Sequence, residues 1–553
     1  MATLSFKGKS FIQNYHLAVK YHELIPMKKK SLTSKVSLKD NLIIHGDNLK
    51  ALKALLPTYA GKVKCIYIDP PYNTGSEWIY NDNVNSPMMQ EWLGKVVDKE
   101  DLTRHDKWLC MMMPRLKLLR ELLHPDGVIF VSIDYNEGHR LTSLMNEIFD
   151  EDNYRDSIVI RRGVKSVQAQ FDTIDELSKG YENVLMYTRN PELRFRKVYE
   201  ELDEEKEGGW NNHWRGTDRP TMRYELFGIT PETGQWRWGK ERSQAAIANY
   251  RMMLKALEKE RLKPTQENID AWYLKYLEEN DEDDLDLLRL SDNGKPEHYI
   301  APTKSKLLSN LWGDLKPNGS SQLKKLFGKK VFDNPKSVDL IKRLIQFATD
   351  DRGALILDSF AGSGTTAHAV MELNAEDSGN RKFILVECED YADEVTAERV
   401  RRVIKGVPDA KDDDLRKGLG GSFSFFELGE PIELESILEG KRLPSYLDLA
   451  RYVFYTATGD EFLPEQVDED RHFIGESKDY EVYLFYKPDL TYLKSTALTL
   501  EIAKGLGEYT GKKKLVFAPT KYLDLNDSEL LAKHGLKGIE YCQLPFEIYR
   551  LRE

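Results

Sequence analysis

The chemistry-bearing stretch of this chain is Ile66-Tyr67-Ile68-Asp69-Pro70-Pro71-Tyr72. An apolar run of this kind reads as a buried parallel strand. Two prolines in succession cannot donate to a ladder, so the strand must stop at Asp69. A carboxylate, the Pro70 carbonyl and the Tyr72 ring then stand together at the carboxyl end of a strand, where open α/β sheets bind ligands. Two acceptors beside an aromatic face suit a flat ring that carries an amino group. An exocyclic amine such as that of adenine is a poor nucleophile, because its lone pair is delocalised into the ring. Acceptors aimed at its two hydrogens draw the nitrogen toward a tetrahedral shape and localise that pair, and acceptors fixed in advance need little reorganisation. A base stacked on Tyr72 would have to leave its duplex. The plain alternative is a strand-ending turn with an exposed Asp, which leaves the adjoining Tyr72 and Asn73 unexplained.

A second constellation lies far along the chain, in Leu355-Ile356-Leu357-Asp358-Ser359-Phe360-Ala361-Gly362-Ser363-Gly364-Thr365-Thr366. The order is strand, Gly-rich turn, helix. Gly362 and Gly364 permit a tight turn and close backbone approach to a ligand, while Thr365 and Thr366 suit a helix start. No lysine follows the glycines, so this is not a phosphate-binding P-loop. The next apolar run, 382–387, ends in Glu387. An acid at that distance accepts from ribose hydroxyls or is an ordinary solvated strand end. A third strand, 41–47, ends in Asp47 before a helix that begins near Asn48, and Asp47 is an acceptor for a cofactor's adenine amine or an ordinary strand-end acid.

Together these pieces resemble the β-class amino-methyltransferases of DNA; the members that act on cytosine N4 tend to carry Ser where Asp69 stands, so adenine N6 is the expected target, with cytosine N4 methylation or a non-catalytic DNA-binding specificity subunit as the alternatives. Asp69-Pro70-Pro71-Tyr72 matches the family's catalytic motif, and Phe360-Ala361-Gly362-Ser363-Gly364 its S-adenosylmethionine motif, in the β-class order. Within that class the chain most resembles the Mod subunits of type III restriction–modification systems. The stretches Gly127 to Asp134, Tyr181-Glu182-Asn183, Ser309 to Trp312 and Phe332-Asp333-Asn334-Pro335-Lys336 carry that likeness. The resemblance implies a doubly wound, mostly parallel α/β sheet of the Rossmann-like methyltransferase type, circularly permuted. It implies S-adenosylmethionine as cofactor, held by Asp47, Phe332, Pro335, Lys336, Asp358, Phe360, Gly362, Ser363, Gly364, Thr365, Thr366 and Glu387. It also implies double-stranded DNA as substrate, base flipping, a homodimer and a separate restriction (helicase and nuclease) subunit. The family usually carries proline where Ser337 and Ser359 stand.

The 553 residues suffice for two to four domains. With 80 Lys and Arg against 91 Asp and Glu, the net charge is −11, which by itself argues against nucleic acid. Phosphate contact depends on local patches, however. Acids concentrate at 200–207 and 278–286, while bases and aromatics interleave elsewhere. The candidate DNA contacts are Arg161, Arg162 and Lys165, then Arg215 and Arg219, then Trp236, Arg237, Trp238 and Lys240. One such patch alone is more often a solvated face, but the recurrence of three favours DNA contact. The four cysteines are scattered without metal-ligand spacing or a disulfide framework, so no metal is expected and a reduced cytoplasmic setting fits. Neither a signal-peptide pattern nor a span-length apolar stretch is present, so no membrane partner is expected.

These sites must be carried by elements in a definite order. Residues 1–35 read as a polar N-terminal arm, 36–195 as the catalytic half of the core, and 196–308 as an inserted target-recognition domain. The insert breaks the strand–helix rhythm with tryptophans, charge runs and one long charged helical stretch at 243–279. The cofactor half resumes over 309–405, a linker covers 406–439, and 440–553 reads as a small C-terminal α/β domain. Residues 107–123 form an amphipathic helix whose Met111, Met112 and Met113 are core packing, and 124–127 form a turn.

Overall fold

The structure is a computed structural model, and it describes residues 3–73, 103–162, 177, 179–217, 219–280, 285–408, 416–432, 443–525, 531 and 533–544. Two compact units emerge, one formed by Met1–Phe195 with Asn310–Glu553, the other by Arg196–Ser309.

The first unit is built on a ten-stranded sheet. Its strands are β1 (His22–Pro26), β2 (Leu42–His45), β3 (Val63–Ile68), β4 (Leu123–Ile133), β5 (Tyr154–Arg161), β6 (Tyr181–Thr188), β7 (Leu311–Trp312), β8 (Leu355–Asp358), β9 (Lys382–Glu387) and β10 (Ser424–Pro431). The spatial order is β1-β10-β2-β9-β8-β3-β4-β6-β5-β7. The run from β10 through β4 is parallel. β6 is antiparallel to both its neighbours, and β1 runs antiparallel on one edge. This is a Rossmann-like α/β sheet, and the near-continuous apolar runs of its central strands follow from burial on both faces.

Helices α1 (Asn48–Tyr59), α2 (Arg104–Leu122), α3 (Gly138–Phe149), α4 (Val338–Ala348), α5 (Thr365–Asp377) and α6 (Glu398–Lys405) accompany the sheet. The start of α2 is fixed by a capping box, in which Thr103 and Asp106 each satisfy the other's backbone N–H. Met111, Met112 and Met113 are buried in the core, as expected.

Three local expectations differ from the structure. Residues 1–35 are no free arm: Ile12, Val19 and Tyr21 are buried, and β1 pairs with β10 along the sheet edge. Strand pairing across 400 residues of sequence leaves no local signature, which is why the segment read as polar. The turn at 124–127 is absorbed into β4, whose pairing with β3 jumps from Val63↔Leu123 to Cys65↔Val128. The helical stretch at 243–279 is two helices, Lys240–Lys259 and Gln266–Glu279. Pro264 precedes Thr265, whose side chain caps the second helix through the Asn268 N–H, so the chain breaks and restarts there.

Residues 443–544 carry a four-stranded sheet of Phe473–Glu476, Tyr480–Leu484, Lys513–Ala518 and Ile539–Gln543. Val482 and Leu515 of this sheet, with Val453 and Phe454 of the helix Tyr446–Thr458, continue the apolar core that contains α1.

In the second unit, Tyr199–Lys206 pairs antiparallel with Thr303–Leu307, so the two ends of the unit lie on neighbouring strands. A three-stranded sheet and the two helices enclose Met253, Leu257, Ile269, Tyr273 and Leu287.

Candidate active site

β3 and β8 are hydrogen-bonded neighbours, with Ile66 opposite Leu357 and Cys65 opposite Ile356. The two loops that follow therefore leave one sheet edge side by side, although nearly 300 residues separate them in sequence. From β8 the chain proceeds to β9 on one side, and from β3 to β4 on the other. The ends of β3 and β8 thus flank the point where strand order reverses, and a crevice forms at such a point.

Asp69 follows β3, and its side chain is 27% exposed. The Lys336 ammonium lies 3.3 Å from its Oδ1. Burial raises the Asp69 pKa above the usual carboxylate value; Lys336 opposes this and the Glu182 carboxylate adds to it. Lys336 Nζ also donates to Glu182 Oε2 at 2.9 Å and to the Tyr72 hydroxyl at 2.6 Å. It stands 5.1 Å from the centroid of the Tyr72 ring. Burial disfavours the charged lysine, yet Asp69 and Glu182 outweigh it and its pKa ends above the ordinary value. Glu182 is held below its ordinary value, because Lys336 overrides the cost of burial.

The loop itself is pinned. Trp108 on α2 donates its indole N–H to the Pro71 carbonyl at 2.6 Å, which leaves the Pro70 carbonyl to other donors. Asn73 is fully buried with φ +57°, a conformation that Asn tolerates better than most residues. Its Nδ2 donates to Glu137 Oε1 at 2.6 Å.

On the neighbouring loop, Gly362 and Gly364 have φ +51° and +76°. A Cβ on Gly364 would sit 3.0 Å from the Thr396 carbonyl, and one on Gly362 would sit 3.1 Å from the Phe332 ring. Phe332 therefore packs directly over the glycine turn. Gly364 is the cap position of α5, with Thr365 and Thr366 in its first turn. Asp358 accepts from the Phe360 N–H at 3.0 Å and the Thr366 hydroxyl at 2.5 Å. Glu387 Oε2 accepts from the Gly362 N–H at 2.6 Å, while Oε1 accepts from Cys388 and Glu389. Burial pushes both Asp358 and Glu387 up to about 7.

Pro335 and Lys336 precede α4, and the Lys336 carbonyl accepts from the Thr365 hydroxyl at 3.4 Å. The Lys336 backbone therefore meets the glycine loop, while its ammonium reaches the β3 loop. Asp47 caps α1 by accepting from Leu49 and Lys50 through Oδ1, and its Oδ2 lies 3.6 Å from buried Arg115. That guanidinium holds Asn48, which in turn donates to the Ser359 carbonyl at 2.8 Å.

Three groups that matter here carry no recognisable local signal, Trp108, Arg115 and Arg399, while Glu182 lies in a stretch that carries the family likeness but that does not by itself single the residue out. Arg399 is fully buried beneath the glycine loop and donates to Ser363 Oγ at 2.9 Å and Thr365 Oγ1 at 2.7 Å. Burial lowers its pKa to about 9. A buried arginine in the helix after β9 is the only sequence cue, and it becomes legible only once α6 is known to pack under the loop.

This edge fits a nucleoside-bearing cofactor. It offers a glycine turn of positive φ, the amino end of a 13-residue helix, a buried Ser359 hydroxyl that finds no partner among the described residues, and an acid closing the next strand. Glu387 already accepts from three backbone N–H groups and from the Tyr391 hydroxyl, so it braces the glycine turn from the end of the next strand.

The candidate DNA contacts divide differently. Arg161 and Arg162 are exposed at the end of β5, and Lys165 lies outside the described residues. In the second unit Arg215, Arg219 and Lys240 are exposed, while Arg237 and Trp238 are half-buried. Trp236 corrects its surface expectation: it is 2% exposed, packs with Leu226, Ala246 and Leu288, and donates to the Tyr224 carbonyl. Trp238 lies beneath the Arg242 guanidinium at 4.6 Å, and Arg242 is paired with Asp286.

Comparison with known proteins agrees with this geometry. The chain is 31% identical over 435 residues to the type III restriction-modification enzyme StyLTI Mod subunit of Salmonella typhimurium, covering 72% of this chain and 62% of that protein. It is 30% identical to the EcoPI Mod subunit of Escherichia phage P1, covering 68% of this chain and 64% of the relative. It is 32% identical to the type II methyltransferase M.KpnI of Klebsiella pneumoniae, covering 62% and 79%. The chain thus spans somewhat under two thirds of the length of the two Mod subunits. The profile of the DNA methylase family N6_N4_Mtase matches residues 63–398, which take in the Asp69 loop, the glycine loop and Glu387, and the chain belongs to that family.

Proposed function

We propose that this chain methylates adenine N6 within a specific sequence of double-stranded DNA, with S-adenosylmethionine as methyl donor and the target base turned out of the duplex. The observation that carries the reading is the pairing of β3 with β8, which sets the Asp69 loop beside the glycine loop at one sheet edge. A direct methyl transfer needs donor and acceptor in contact, and adjoining loops can hold them so.

S-adenosylmethionine supplies a methyl group made electrophilic by its sulfonium. Phe332, Pro335, Asp358, Phe360, Gly362, Ser363, Gly364, Thr365, Thr366 and Glu387 would hold it, with Asp47 bracing the adjoining strand end. The residues of the β3 loop act on the base. Tyr72 stacks against it, which is worth roughly 1–3 kcal/mol. The Asp69 carboxylate and the Pro70 carbonyl accept the two amino hydrogens and localise the nitrogen lone pair. The amine proton becomes acidic only as the new carbon–nitrogen bond forms, and Asp69, whose basicity burial increases, then receives it. Positioning and fixed electrostatics supply the rate, and no covalent enzyme intermediate is needed.

The names of the relatives support a biological setting as well. In this reading the chain is the modification subunit of a restriction–modification or related phage-defence system, works as a cytoplasmic homodimer, and meets a separate restriction subunit. Arg196–Ser309 is the target-recognition unit. Sequencing DNA for modified bases, from cells with and without the gene, gives the base and its site. Asp69→Ala should abolish that modification while calorimetry still registers cofactor binding. N4-methylcytosine in place of N6-methyladenine would displace the adenine assignment, and unchanged modification by the Asp69→Ala protein would remove Asp69 from the chemistry.

A further inference from the structure

Lys336 belongs by sequence to the cofactor segment, yet its ammonium makes all its described polar contacts away from the glycine loop: with Asp69 and Tyr72 on the β3 loop and with Glu182 on β6. Glu182 comes from β6, two strands away from β3. Its side chain is 12% exposed and that of Lys336 14%, so this is a buried ion pair and not a surface one. A buried pair is a weak source of stability, because desolvation offsets attraction. The arrangement calls for another role, and its geometry supplies one.

We propose that Lys336 and Glu182 are positioning residues that set the charge of Asp69: Lys336 pairs with Oδ1 and leaves Oδ2 for the target amino group, and Glu182 anchors the ammonium there. This rests on the methyl-transfer reading and extends it to two residues. The ammonium reaches Oδ1 at 3.3 Å without the alignment of a hydrogen bond, whereas its bonds to Glu182 and Tyr72 are aligned and short. Lys336 is thus held by Glu182 and the phenol, and is presented to Asp69 as a charge. Tyr72 also donates its hydroxyl to Glu182 at 3.4 Å, which fixes the ring that is to stack on the base. The backbone of Lys336 touches Thr365 at the glycine loop, so one residue spans both halves of the site.

The charges around Asp69 give the test its sign. Lys336, Glu182 and the phenols of Tyr72 and Tyr67 face it, Asp358 lies within electrostatic range on β8, and Arg162 acts on Glu182. Lys336 lowers the Asp69 pKa and Glu182 raises it. With the other group held in place, here for Lys336 by the Tyr72 hydroxyl, removing the lysine charge moves Asp69 up and removing the Glu182 charge moves it down.

The experiment uses the full-length protein, labelled S-adenosylmethionine and unmethylated phage genomic DNA, with kcat/KM for DNA followed against pH. The acid limb of that profile reports the essential carboxyls of the free enzyme, and the part of it that moves with the charges at 336 and 182 is that of Asp69. Lys336→Met should move the limb up by about 1–2 pH units, the usual effect of losing an adjacent opposite charge. Glu182→Gln should move it down. Lys336→Arg, which keeps the charge, should return the limb to within a few tenths of a unit of wild type. Cofactor affinity by calorimetry should change less than about threefold in Glu182→Gln. A purely structural role predicts lower activity at every pH with the limb in place, and limbs that stay put in both charge-removing variants overturn the proposal. Wild-type protein that transfers no methyl group overturns the reading beneath it instead, so the two failures are told apart.

Discussion

The indole of Trp108 donates to the Pro71 carbonyl from a fully buried ring. Two prolines leave this loop with no backbone N–H of its own at 70 and 71, so side chains from elsewhere must hold it. Trp108 and Glu137, through Asn73, do so. Trp108→Phe keeps an aromatic ring but removes the donor and part of the buried volume, and the unsatisfied carbonyl alone costs about 1–3 kcal/mol. Part of that cost falls on the position of Asp69. The expected result is a melting temperature lowered by a few degrees together with a kcat reduced by about tenfold or more, while cofactor affinity is retained. A loss of stability with kcat unchanged would mean that the indole serves packing alone. Asp69, Pro70, Pro71 and Tyr72 were legible as chemistry because the residue types themselves dictate a strand end with acceptors. Their supports were not, because a tryptophan or a glutamate in an apolar segment reads as ordinary core or surface until its neighbours are known.

At the scale of elements, the ends of β8 and β9 each bury one carboxyl group, and both are pushed up to about 7 by burial. Unfolded carboxyls titrate near 4. Between about pH 4 and pH 7 the folded chain therefore holds protons that the unfolded chain releases, and these two groups favour folding fully only below that window. Their contribution falls as pH rises through it. Glu387→Gln removes one of the two titrations, so the decline in melting temperature from pH 5 to pH 8 should become shallower than in wild type. An unchanged slope would place the Glu387 pKa in the ordinary range. The strand–turn–helix pattern at 355–366 was readable because glycine at positive φ and an apolar strand are local properties. That Asp47 caps α1 against Arg115 came only from the structure, since an acid before a helix suits both a cap and a ligand contact.

At the scale of the whole molecule, Arg196–Ser309 forms its own compact unit with its own apolar clusters. Its entry and exit strands, Tyr199–Lys206 and Thr303–Leu307, are paired, so its two ends are a strand spacing apart. Replacing residues 199–307 with a short Gly/Ser linker should leave a folded first unit that binds S-adenosylmethionine within about threefold of the intact chain, while sequence-specific DNA binding disappears. Retained site preference in a gel-shift titration would move recognition elsewhere, and loss of cofactor binding would show that the first unit depends on the insert. The net charge of −11 says nothing about this, because phosphate contact is a property of faces and not of totals.

From the chain alone one could read the local devices: the prolines that end a strand at Asp69, the glycines that turn the backbone after Asp358, and the rhythm that breaks near 195 and resumes near 310. These depend on residues a few positions apart, where steric and hydrogen-bonding rules act directly. Tertiary structure alone decided that β1 closes the sheet edge, that Trp236 is core, and that the Lys336 ammonium meets Tyr72 across 264 residues of sequence. Such meetings follow from which strands become neighbours, and that is chosen by burial of the whole sheet and not by any one segment.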